Sequence, residues 1–397
     1  MTSSDRTLTI LLLSSVLLAA PAWAQTPPEP TPSPSPSPSP SPSPEPPTEA
    51  PPVEVPPGAS GAGGPSGPLP VYGPSSSKVF NPDIAVIGDF LGAIGKNDSD
   101  QATPSLEMHE VEASFQAIVD PFARADFFLV VAPDEVGVEE GFITFTSLPA
   151  NLLLKVGKMR ASFGKVNQMH NHIMPWTERP LVTQNLMGGE EGISDAGLSL
   201  SRLFPNSLLF LEATAEVYRG ESELFRAPTR GDLTYVGRLR GYRDITESTN
   251  LDFGGSFAQG HNDAGPDLKT RLAGADVTFR WRPLRRAIYK RLLLRTELVW
   301  SRREQEGGPV KAFGTYVSGE YQFARRWFAG VRLDRSERAD DASLVDKGAS
   351  ALLTYWPSEF SQIRGQYRHL RYADGIRANE LLFQFLFSIG AHGAHTF

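Results

Sequence analysis

The chain has 397 residues, a formal net charge of −7 and no cysteine, which excludes a disulfide scaffold and thiolate-based metal or redox chemistry. Beyond the first two dozen residues no stretch offers the ~18 consecutive apolar positions that a membrane-crossing helix requires, which excludes a helical membrane protein. With 10% aromatic residues and a mean hydropathy of −0.24, the chain suits either a secreted β protein or an outer-membrane barrel, so residue order has to decide between them.

Residues 1–24 read as an export signal: Arg6 gives a weakly basic start, Leu8 to Ala20 an apolar core, and Ala22-Trp23-Ala24 a cleavage site before Gln25. Residues 25–77 are dominated by proline, serine and glycine, with Ser-Pro dipeptides running from Pro32 to Pro44. Such a composition cannot build a core, and its proline-rich part is expected to be extended polyproline II. At ~3.1 Å per residue this linker could reach on the order of 150 Å as a tether or spacer.

From residue 78 to 397 the sequence reads as strands and turns, about sixteen of them. They begin near Ile84, Leu106, Phe122, Val138, Leu152, Asp195, Ser207, Leu233, Asn250, Lys269, Leu292, Ala312, Trp327, Gly348, Phe360 and Asn379. The clearest alternate with a period of two. Leu292, Leu294, Leu298 and Trp300 oppose Arg295, Glu297, Ser301 and Arg303; Ala329, Val331 and Leu333 oppose Arg332, Asp334 and Ser336. The last strand carries Phe383, Phe385, Phe387 and Ile389 on one face, and the terminal Phe397 shares their parity. Connections alternate between short ones, such as Asp120-Pro121 and Ala324-Arg325-Arg326, and long polar ones, such as Phe163 to Ile193 and Arg335 to Lys347. That parity is expected of a transmembrane antiparallel β-barrel with short periplasmic turns and long outer loops. The fold class is therefore all-β: an outer-membrane barrel preceded by a signal peptide and a linker.

The longest connection, Phe163 to Ile193, follows the fifth strand and holds His170, His172, Trp176, Glu178, Glu190 and Glu191. A loop rich in aromatic and apolar residues at a barrel mouth is expected to fold inward and narrow the pore, with His170, His172, Glu178, Glu190 and Glu191 at the constriction. Acidic residues dominate between Lys78 and Gly192, and basic ones between Arg271 and Arg377. A ring of sixteen strands sets these stretches on opposite walls, so the loop acids should face Arg280, Arg295, Arg332, Arg364 and Arg368 across a transverse field. The basic excess tilts the expected preference weakly toward anions. His170-x-His172 in an extended segment would present two imidazoles on one side, and with Glu178 nearby could hold a loosely bound divalent ion. No Gly-x-Ser-x-Gly elbow, His-Glu-x-x-His pair or phosphate-binding glycine loop is present, so neither catalysis nor a cofactor is expected.

Asn81-Pro82-Asp83-Ile84 at the first strand, Val156-Gly157-Lys158-Met159-Arg160-Ala161-Ser162-Phe163-Gly164 entering the long loop, and the closing strand to Phe397 resemble a branch of outer-membrane proteins related to the phosphate-selective porins. The resemblance runs from about Asn81 to the end. It implies a sixteen-stranded barrel, often a homotrimer, in the outer membrane of a Gram-negative bacterium, passing small hydrophilic solutes by diffusion. It also implies contact with outer-membrane lipid and with the barrel-assembly machinery, for which Phe397 would be the assembly signal. No nucleic-acid partner is implied. The closely spaced arginines of true phosphate porins are not evident here, so solute identity does not carry over. Two other functions fit the same residues: a closed barrel that binds at the cell surface or serves structurally, and metal-ion uptake through the His170/His172 loop.

Overall fold

The computed structural model describes residues 82–99, 103–133 and 136–390. The export signal, the linker and Phe397 lie outside the described residues. Sixteen strands follow one another around a closed barrel. They are β1 (Asp83–Asn97), β2 (Leu106–Asp120), β3 (Ala123–Val131), β4 (Val136–Leu148), β5 (Leu152–Arg160), β6 (Ser194–Phe204), β7 (Phe210–Tyr218) and β8 (Thr234–Thr246). The second half comprises β9 (Thr249–His261), β10 (Lys269–Trp281), β11 (Arg291–Arg303), β12 (Val310–Ala324), β13 (Trp327–Glu337), β14 (Val345–Ser358), β15 (Ser361–Arg371) and β16 (Arg377–Gly390). Each strand begins within three residues of the position expected from alternation. All pairings are antiparallel, and β1 closes the ring on β16 with Ala85 opposite Gly390, which leaves no free edge.

The register puts both ends of the barrel on one rim. On that rim β2–β3 (121–122), β8–β9 (247–248), β12–β13 (325–326) and β14–β15 (359–360) are joined tightly, and 282–290 is the long exception. The opposite rim carries 161–193, 219–233, 262–268, 304–309 and 338–344. The period of two sorts the side chains by medium. Leu294, Trp300, Val317, Phe323, Val331, Leu333, Leu353, Leu381, Phe383 and Phe387 project outward and are exposed, whereas Arg295, Glu297, Arg332, Asp334, Arg364, Gln366, Arg368 and Gln384 are buried inside. An apolar exterior of this extent on a closed barrel is a lipid-facing wall, and it places the protein in an outer membrane. Aromatic pairs mark both boundaries of the belt: Trp327 stacks on Tyr355 with ring centroids 4.5 Å apart near the terminal rim, and Trp300 meets Phe313 at 5.4 Å toward the other.

Two β-bulges interrupt the alternation close together. On β2 the register passes from Glu110, opposite Asp89, to Met108, opposite Phe90, leaving His109 as the extra residue. On β4 it passes from Glu140, opposite Phe128, to Val138, opposite Leu129, leaving Glu139 extra. A bulge re-aims the side chains around it, and here Glu139 and Glu140, adjacent in sequence, are both buried.

Candidate functional site

The segment 161–193 between β5 and β6 lies inside the barrel. Its neck is closed by Asn167, which is fully buried: its Nδ2 donates to the carbonyls of Ala161 (2.8 Å) and Ile193 (3.0 Å), and its Oδ1 accepts the N–H of Ile193 (2.8 Å). Gly164, at φ +59°, turns the chain toward the β9–β11 wall. There the N–H groups of Lys165 and Val166 both donate to Glu297 Oε1 at 2.8 Å, and Lys165 Nζ pairs with Asp252 at 2.6 Å. Burial pushes the Lys165 ammonium down to about 8 despite that pairing.

The chain then reaches the β2–β4 wall. His170 Nδ1 lies 2.6 Å from Glu112 Oε2, and its Nε2 lies 2.7 Å from Glu140 Oε2. Burial alone would lower the His170 pKa, but the carboxylates of Glu112 and Glu139 outweigh it and raise the imidazole well above its ordinary value. Asn171 to Ile173 form a 3₁₀ turn, so His172 is buried beside Glu110 and Glu112 rather than displayed on an extended strand.

From there the segment passes to the β11–β15 side. Trp176 packs edge-on against Tyr316 with centroids 5.2 Å apart, and the Arg332 guanidinium sits 5.0 Å above the Trp176 ring. Glu178 accepts from Arg332 Nη2 (2.8 Å) and Gln366 Nε2 (2.8 Å) and lies 3.4 Å from Arg368. Burial opposes its charge, yet Arg332 and Arg368 hold its carboxyl below the usual range. A short helix, α1 (Leu181–Leu186), packs on β12 and β13. The Leu181 N–H donates to Asp334 (3.2 Å), and Asn185 Nδ2 donates to Asp346 on β14 (2.9 Å). Between these anchors the loop's Phe163, Val166, Trp176, Val182, Leu186 and Met187 join wall residues such as Phe142, Leu272, Val299, Tyr316 and Leu352 in one buried apolar cluster.

The residues named from sequence therefore separate into three places. His170 and His172 sit at the β2–β4 wall. Glu178 is on the basic wall, in direct contact with Arg332 and Arg368. Glu190 and Glu191 are exposed where the loop returns to β6; the Glu191 carbonyl accepts from Arg160 Nη1 at 2.6 Å. The carboxylate within ligand distance of the two histidines is Glu112, whose ligand atom and theirs lie within 4.8 Å of one another. Glu178 does not serve there, because two guanidiniums hold it elsewhere. All five wall arginines point inward. Arg280 and Arg295, on β10 and β11, lie eight strands from β2 and β3, whereas Arg364 and Arg368 on β15 are three strands from β2. Arg332 and Arg368 also pair with Asp334 and Glu380. Arg295 and Arg364 make no carboxylate contact within 4 Å among the described residues; Arg364 donates to Gln384 at 2.6 Å instead.

Sequence reasoning missed the acidic pole of the lumen, which is the wall quartet Glu110, Glu112, Glu139 and Glu140 rather than loop acids. Glu110-x-Glu112 shares one strand face by parity and was legible as such. Glu139 and Glu140 depend on a bulge that no local pattern announces.

No protein-family model matches the chain. An uncharacterized protein of Aquifex aeolicus is 29% identical over 393 residues, spanning 82% of this chain and 81% of that protein. Among solved structures, an anion-selective porin from Comamonas acidovorans superposes with a TM-score of 0.56 at 10% identity, covering 78% of this chain and 99% of that one. The outer membrane channel DcaP of Acinetobacter baumannii gives 0.51 at 12% identity (78% and 96%), and OprB of Pseudomonas putida gives 0.52 at 10% (78% and 94%). At these identities the likeness is one of architecture. The chain thus has the fold of the outer-membrane porins, a closed sixteen-strand barrel, here with its longest loop folded into the lumen.

Proposed function

We propose that this protein is a Gram-negative outer-membrane porin through which small hydrophilic solutes diffuse past a constriction built by residues 161–193, with a weak preference for anions and without catalysis or a cofactor. The observation that carries this reading is the loop itself. It is pinned inside a closed barrel to the β9–β11, β2–β4 and β12–β15 walls, so any solute crossing the lumen has to pass it. The anion preference rests on Arg295 and Arg364, inward guanidiniums outside any ion pair with a described carboxylate, and on the resemblance in architecture to an anion-selective porin. Conductance of the purified protein in planar bilayers tests it. Removing Asn167 to Glu191 should enlarge the single-channel step severalfold, and an unchanged step would refute the constriction. A reversal potential on the cation side in a salt gradient would refute the anion preference. A homotrimer is the proposed assembly, and cross-linking that gives only monomer in mild detergent would overturn it.

One observation favours a second reading. The apolar cluster joining loop and wall packs like a protein interior, as in a closed barrel that acts at the cell surface. That barrel would give no conductance steps before the loop is deleted and steps afterward.

A further inference from the structure

We propose that His170, His172 and Glu112 form a binding site for one divalent transition-metal ion, with Glu110 and Glu139 as outer carboxylates, and that the ion ties the lumenal loop to the β2–β4 wall. The inference concerns binding alone and stands whether or not solutes pass the loop. The ligand atoms are already gathered around one point. Glu112 Oε2 lies 2.6 Å from His170 Nδ1 and 3.5 Å from His172 Nδ1. Glu139 Oε2 is 3.5 Å from His170 Nδ1, and Glu110 Oε1 is 3.7 Å from His172 Nδ1. Ligand atoms ~2.0–2.1 Å from a tetrahedral zinc ion are about 3.3 Å apart, so the His170–Glu112 contact has to open by about 0.7 Å while the two imidazoles, whose ligand atoms lie within 4.8 Å of each other, draw to that spacing.

A second, independent observation points to a cation. Glu139 Oε2 has no hydrogen-bond partner, although the residue is more than nine-tenths buried and this oxygen is aimed at the His170 imidazole. Orphaned carboxylate oxygens in the interior are costly. Four buried glutamates, Glu110, Glu112, Glu139 and Glu140, converge here, and among the described residues Arg160, paired with Glu139, is the arginine in ion-pair contact with them. The two β-bulges flank the same spot; without the bulge at Glu139, adjacent residues Glu139 and Glu140 could not both turn inward. Two imidazoles with carboxylates and no thiolate select an ion such as Zn²⁺, Co²⁺ or Ni²⁺ over Mg²⁺ or Ca²⁺, which take oxygen cages.

The test uses the full-length folded barrel, stripped with a chelator and titrated with Zn²⁺ by calorimetry, with Co²⁺ as a spectroscopic probe. The expected result is one saturable Zn²⁺ per chain, a higher unfolding temperature with Zn²⁺, and visible Co²⁺ bands of a low-coordinate N/O site. Glu112→Gln and His172→Ala should each weaken binding by ~tenfold or more, while a heat-modifiable band on a gel confirms that the variants remain folded. If a variant fails that check, the wild-type titration and Co²⁺ spectrum decide alone. Absence of saturable binding in the wild type would overturn the proposal and leave His170 as an imidazolium bridging Glu112 and Glu140. Binding of unchanged affinity in both folded variants would also overturn it, by placing the ion on other histidines.

Discussion

Glu178 binds the loop to the far wall through Arg332, Arg368 and Gln366. A buried carboxylate between two guanidiniums acts less through its pair energy than through what its loss leaves behind, because removing one partner of such a pair costs about 3–5 kcal/mol. Glu178→Gln keeps the size and one acceptor but removes the charge. The variant should therefore be destabilised by ~3 kcal/mol in urea titrations of the folded barrel and should pass anions with a larger permeability ratio; a reversal potential equal to that of the wild type would contradict the role. The residue is visible in the sequence as a loop acid, and Arg332 and Arg368 are visible as inward positions of their strands. Their meeting is not visible, since it depends on how a segment without periodicity crosses a lumen. The same holds for His172, whose partners became the wall acids once Asn171 to Ile173 coiled into a 3₁₀ turn.

Strands and loop differ in how much their sequence discloses. Each strand announces itself because one face meets lipid and the other a polar interior, and β16 does so with five apolar residues at alternate positions. The lumenal segment has no such division, because its apolar residues face inward from every side. Its neck is nevertheless a definable unit: Asn167 bridges both strand ends, and Gly192 sits beside it at φ +64°. Asn167→Ala would leave the buried Ile193 N–H without its acceptor, while the Ala161 and Ile193 carbonyls keep the N–H groups of Phe163 and Ala161, a loss of ~1–3 kcal/mol. Such a variant should expose the loop to limited proteolysis while the barrel band on a gel persists; protection equal to the wild type would show that the wall anchors suffice. At Gly164 an added Cβ would come within 2.5 Å of Glu297 Oε2, and its φ of +59° is unfavourable for other residues. Gly164→Ala should therefore weaken the first crossing by ~1–2 kcal/mol on the same readout.

The molecule as a whole carries two apolar layers, one outside against lipid and one inside between loop and wall. They answer differently to charge. Val331 faces lipid midway along β13, and Val331→Arg should cost ~2–4 kcal/mol in bilayer unfolding experiments; a change near zero would place that position outside the hydrocarbon. The inner layer fixes an order of events. Residues 161–193 emerge after β5, yet their seats at Glu297, Tyr316, Arg332, Asp346 and Arg368 belong to β11 through β15. The loop therefore has to wait, apolar residues unsheltered, until ten further strands have been added. Full seating requires β15 to be in place, and the interval before it is when the loop is most open to a protease, a chaperone or a mispaired neighbour.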